Sequence, residues 1–139
     1  MLSKDRKLQR DRLEQLQEYI NDLEEYKEIE FEKLQQDKLV LRYLTRTLYL
    51  ALDTILDLGC QIIVNGNSHS QPDSRQIIEI MAEENIIKKN GSNYVKLAEI
   101  RDSIANASED IAPEILLEAI KENLDDLKTI FKWYRDYIE

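Results

Sequence analysis

LRYLTRTLYLALDTILDLGCQII, residues 41–63, is the stretch that decides the fold class. Its apolar residues Leu41, Leu44, Leu48, Leu52, Ile55, Leu56, Ile62 and Ile63 keep to the helical period, not to the alternation of a strand. The apolar arc is wide, and proline is absent. The segment therefore reads as the central helix of a bundle, from about residue 36 to about residue 65.

Working outward, Leu13, Leu16, Ile20 and Leu23 recur at alternating steps of three and four in a background of Glu, Gln, Asp, Asn and Lys. That pattern predicts a long N-terminal helix over about 4–33, a rod of roughly 40 Å at ~1.5 Å per residue. NGNSHSQPDS (65–74) is the clearest loop, closed by Pro72 at a first helical position. A short helix over about 72–84 follows, with Ile77, Ile78, Ile80 and Met81 facing inward. KKNGS breaks the chain again, and Ser92 suits the N-cap of a helix over about 92–107. A last helix, about 113–138, opens at Pro113 with Glu114 in its first turn. The expected architecture is all-α, an antiparallel bundle of four to five helices in one domain spanning 1–139, with loops at 66–72 and 107–112.

Composition agrees. Three glycines and two prolines in 139 residues are too few for the turns of a sandwich or barrel. The net charge of −9 repels phosphate backbones, so any nucleic-acid contact must be local. The single cysteine, Cys60, cannot form an internal disulfide and reads as a packed thiol. No apolar run approaches the roughly 20 residues of a membrane span, and MLSKDRKLQRDR lacks a signal-peptide core, so a cytoplasmic location is expected. No CxxC, HExxH or Gly-rich phosphate loop is present, and neither metal nor cofactor is expected. The basic residues Lys4, Arg6, Lys7, Arg10 and Arg12 are offset by Asp5 and Asp11 and read as a solvated face. The aromatic residues of IFKWYRDYI (130–138) read as packing of the last helix, with a dimer or partner anchor as the alternative.

One residue disturbs this picture. Leu97, Ile100 and Ile104 form an inward stripe, and Arg101 sits inside it. A guanidinium there must find a carboxylate or lie in a cleft, because burying it unpaired costs several kcal/mol. Its ordinary account is a structural arginine paired with an acidic neighbour or a helix C-terminus.

The run IRDSIANASEDIAPEIL (100–116) resembles the signature of the HEPN family in its HepT-like toxin branch: Arg, four residues, His, one residue, Tyr, then Ile and a Pro-Glu that opens the last helix. Arg101, Ile111, Pro113 and Glu114 match. The resemblance extends through RYLTRTLYLALDTILDLGCQII (42–63), DSRQIIEIMAEENII (73–87) and ENLDDLKTIF (122–131), and so covers the chain from about residue 36 onward. It implies a HEPN-like helical bundle and a homodimer. It also implies a metal-independent endoribonuclease toxin acting on RNA such as tRNA, and a minimal nucleotidyltransferase antitoxin as partner. In that family the Arg stabilises phosphate charge and the His handles protons.

The departures fall on the chemistry. The His position holds Asn106, the Tyr position Ser108, and the residue after the Arg, usually Asn in this branch, is Asp102. Imidazole cleaves RNA without a metal because its pKa lies near neutrality, whereas an amide binds but cannot shuttle protons. His69, the one histidine, lies in the Asn/Ser loop at the wrong spacing. Asp102 beside the motif arginine would repel a phosphate and compete for the guanidinium. The family's Tyr is the residue the antitoxin is thought to modify with AMP, and Ser108 keeps a hydroxyl on a shorter side chain. The expectation is a toxin-family protein with ribonuclease activity lost or nearly so. Two alternatives stand beside it: a histidine-free ribonuclease in which Arg101 and Asn106 of two chains orient the 2′-hydroxyl, and a non-enzymatic helical interaction module.

Overall fold

The computed structural model describes residues 2–66, 73–88, 92–106 and 111–138, and every regular element among them is helical. In chain order these are α1 (Leu2–Glu24), α2 (Phe31–Gln36), α3 (Lys38–Gly66), α4 (Ser74–Glu83), α5 (Ser92–Asn106), α6 (Pro113–Glu118) and α7 (Leu124–Ile138). One π-helical turn, Ala119–Asn123, joins α6 to α7, so that Pro113 to Ile138 form one unbroken helical run, as the sequence suggested. The expected all-α bundle is the observed fold.

The central place of α3 follows from its sequence. It touches α1, α2, α4, α5, α6 and α7. Leu44, Leu48, Leu52, Ile55, Leu58 and Ile63 supply the fully buried layer around which the others pack. Each such side chain contributes about 1.5–3 kcal/mol on burial, which no surface pair in a chain this highly charged can match.

The long N-terminal rod expected over 4–33 is not one helix. Continuing the spacing of Leu16, Ile20 and Leu23 would put Lys27 and Glu30 on the buried face, while the half-buried apolar residues are Tyr26 and Ile29. The apolar stripe slips by one residue, and the helix cannot bury both registers. The chain tightens instead, with Tyr26 N–H donating to Leu23 O at 3.0 Å and Lys27 N–H to Glu24 O at 3.1 Å, and α2 restarts at Phe31 to bury Leu34. Asp37 then separates α2 from α3. Its Oδ1 accepts from the N–H groups of Leu39 (3.1 Å) and Val40 (3.2 Å). These bonds, Val40's foremost, and the Lys33 ammonium hold its carboxyl below the usual range.

Helix α4 begins at Ser74, two residues later than expected. Asp73 is its N-cap in a reciprocal capping box with Gln76, and Pro72 lies outside the described residues. Its other end closes with Asn85 in the left-handed region (φ 60°), Ile86 N–H bonding Met81 O and Asn85 N–H bonding Ala82 O. This is a Schellman closure, and it turns Ile86 and Ile87 back into the core.

Helices α3, α4 and α7 approach closely at Gly59 of α3. A Cβ there would lie 2.7 Å from Met81 Sδ, 2.8 Å from Ile77 Cγ2 and 3.0 Å from the Tyr134 hydroxyl. That hydroxyl is wholly buried, donates to Ile55 O at 2.9 Å and lies 3.2 Å from Met81 Sδ. Burial pushes its pKa far up, so it remains a donor. Gly59→Ala gains about 1 kcal/mol of helix propensity but overpacks a filled crossing at a cost of about 1–3 kcal/mol. We expect the substitution to lower the urea midpoint at unchanged slope, against the usual stabilising effect of Gly→Ala in a helix; a raised midpoint would show that the crossing has room.

Candidate functional site

Helix α5 turns Leu97, Ala98 and Ile100 into the core against α3 and α4. Arg101 lies at the edge of that stripe, its side chain 29% exposed. It reaches α3: Nη2 donates to Asp53 Oδ1 at 2.8 Å and Nε to the same oxygen at 3.3 Å. Its Nη1 donates to Asp102 Oδ1 at 3.1 Å, an oxygen that also accepts from Ser74 Oγ, at the start of α4, at 3.1 Å. One guanidinium thus links three helices. Its pKa is raised, mainly by the hydrogen bond to Asp53 and further by Asp102, against the opposing effect of desolvation.

The ring of Tyr49 lies beside this knot. Arg101 Cζ is 5.7 Å from its centroid and Arg46 Cζ is 5.8 Å from it. Cation–π contact of this kind fixes a guanidinium without using its N–H donors. The two arginines differ in what those donors meet: Arg101 is tied to two carboxylates, whereas Arg46 has no ion pair among the described residues.

Two cavities of opposite character lie along this part of α3, the second of them lined by Tyr49. One, of about 480 Å³, is lined by Asp53, Asp57, Asp73, Asp102, Ser74 and Cys60, with Arg101 in its wall. Asp57 is paired there with Arg12 of α1 at 2.5 Å. The other, of about 380 Å³, is lined by Arg42, Thr45, Arg46, Tyr49, Ile104 and Ala105. The carboxylates sit around Arg101, the sequence-derived phosphate holder, and Arg46, with no ion pair among the described residues, lines the other cavity.

The remaining candidates are placed as follows. Asn106 is the last residue of α5 and is exposed. Ser108 and His69 lie outside the described residues. Arg6, Lys7 and Arg10 are exposed on α1, while Arg12 serves the Asp57 pair. Cys60 is half-buried and faces the acidic cavity, so it is less enclosed than the packed thiol expected. Trp133 packs edge-on against Tyr94 at 5.7 Å and Tyr134 is buried, in line with aromatic packing of the last helix, although Tyr137 is 58% exposed.

Sequence reasoning found Arg101 and Asp102 but missed Asp53, Tyr49, Arg46 and Ser74. The signal for three of these was present. Arg42, Arg46, Tyr49, Asp53 and Asp57 follow one another at steps of four and three, one polar stripe on an otherwise apolar helix. A family model described as "Ribonuclease HepT-like" matches residues 16–132 and takes in both α3 and α5. No curated protein matches the chain.

The pairing of Arg101 with Asp53 is open to measurement. Both groups are partly exposed, so a double-mutant cycle of Arg101→Gln and Asp53→Asn is expected to return about 0.5–1 kcal/mol of coupling, shrinking as salt is raised. A coupling of zero at low salt would show that the contact contributes nothing to folding.

Proposed function

The chain belongs to the HepT-like ribonuclease family, and from that premise we propose that it is a toxin-family protein whose RNA-cleaving chemistry is lost or nearly so. It acts as a single-domain helical homodimer beside a minimal nucleotidyltransferase antitoxin in the cytoplasm. The observation that carries this reading is the state of Arg101: its donors are spent on Asp53 and Asp102, leaving little field for a phosphate.

The chemistry of the other positions points the same way. In the reading carried over from the family, the residue at 106 takes a proton from the attacking 2′-hydroxyl and returns one to the leaving 5′-oxygen. Asn106 is exposed at the end of α5 and can hydrogen-bond a ribose or phosphate, but its amide does not titrate near neutrality. Removing a general acid or base costs about 10²–10⁴ in rate. Asp102 adds a negative charge beside the reacting phosphate, and Asp53 a second one. Ser108 offers a hydroxyl where the family's AMP-accepting phenol would be, on a shorter reach.

The test is a ribonuclease assay on tRNA and mixed RNA in chelator, comparing the chain as it stands with Asn106→His/Ser108→Tyr and with that pair plus Asp102→Asn. We expect no cleavage by the first, cleavage by the second at least about 10²-fold above it, and a further gain in the third as one of the two carboxylates on the guanidinium loses its charge. Cleavage by the unaltered chain that disappears in Arg101→Ala would overturn the proposal.

A further inference from the structure

We propose that this protein holds RNA through the groove between α3 and α5 lined by Arg42, Arg46 and Tyr49, with Arg46, and not the motif residue Arg101, as the principal phosphate ligand. The inference rests on the reading above that RNA is the ligand, and it moves the binding locus to residues outside the motif.

Three observations support it. First, two guanidiniums contact one ring, Arg46 at 5.8 Å and Arg101 at 5.7 Å, but only Arg101 is neutralised by carboxylates. Arg46 lies against the ring, is exposed and has no ion pair among the described residues, which leaves its guanidinium available for bidentate phosphate binding. Second, Arg42 and Arg46 stand four residues apart on α3, so both project from one face. Ile104 and Ala105 of α5 close the opposite wall, giving a groove of about 380 Å³, a volume that suits a nucleotide-sized group. Third, the groove runs beneath the C-terminal turn of α5, where Asn106 is exposed. A strand held by Arg46 lies beside the amide that occupies the acid–base position.

The lining favours a nucleic-acid strand over a protein surface. Two arginines and an aromatic residue are the side chains on which single strands are held, the cations taking phosphates and the planar groups stacking bases. Elsewhere α3 turns acidic, at Asp53 and Asp57, and would repel the same strand. This change of sign along one helix fixes where the backbone can lie, despite a net charge of −9.

Equilibrium titration of a short fluorescent oligouridylate in chelator, over a range of salt, tests the assignment. Arg46→Gln is expected to weaken binding about five- to tenfold and to reduce the slope of log K against log salt by about 0.7, the value for one phosphate contact on a single strand. Arg101→Gln, whose charge is already compensated, is expected to stay within about twofold of the parent. Arg46 is exposed and has no structural ion pair among the described residues, so the variant should keep the parent's thermal melt. Binding unchanged in Arg46→Gln but lost in Arg101→Gln would overturn the inference and leave the family reading intact. Absent binding by a chain whose Asn106→His/Ser108→Tyr variant still cuts RNA would also overturn it alone, whereas RNA neither bound nor cut by either protein would overturn both.

Discussion

Helix α3 has to be packed on almost every side, and this one constraint shapes the molecule. Six other helical segments touch it. Leucine and isoleucine cover most of its circumference, and at Gly59 even a methyl group is excluded so that α4 and α7 can meet over it. Only one stripe is left over, and a helix has nowhere else to carry groups that need water. Arg42, Arg46, Tyr49, Asp53, Asp57 and Cys60 all lie on it. The candidate site is what the core does not use.

Along that stripe the charge reverses, with Tyr49 at the boundary. Arg101 enters from α5 on the acidic side and is caught there. Each link is modest, since exposed ion pairs and cation–π contacts contribute about 0.5–1 kcal/mol apiece. Together they determine what the guanidinium does. A cation with two carboxylates at 2.8–3.1 Å has far less attraction for a third anion than one whose donors are open. Asp53 in this way makes Arg101 a link between α3 and α5.

The helices were legible because apolar period is a strong signal over long segments, as in 41–63 and 113–138. The break after Glu24 was legible in principle, since Lys27 and Glu30 interrupt the stripe, but the absence of Gly and Pro masked it. Helix breaks caused by a slip of register leave no turn residue to read. For the site, Arg101 stood out because it violates an apolar stripe and matches a motif. Asp53 did not, because it belongs to another helix, and a single carboxylate among leucines reads as a solvated edge. Pairings between residues 48 positions apart are set by how α5 lies on α3, which no local pattern states.

The residues of the core and those of the candidate site answer to different constraints. The crossing of Gly59, Tyr134 and Met81 and the leucines of α3 hold this bundle together, and none of them belongs to the end of α5. Asn106 is exposed there, so a substitution at this position leaves no cavity and no buried unpaired group. Arg101 is different. Without it, Asp53 and Asp102 would face each other across the α3–α5 contact with Asp57 nearby, and like charges at that range repel. The arginine therefore has a structural reason to be present whether or not RNA is ever cut. Its presence in the motif is evidence about folding, and evidence about catalysis has to come from the residues at the helix end.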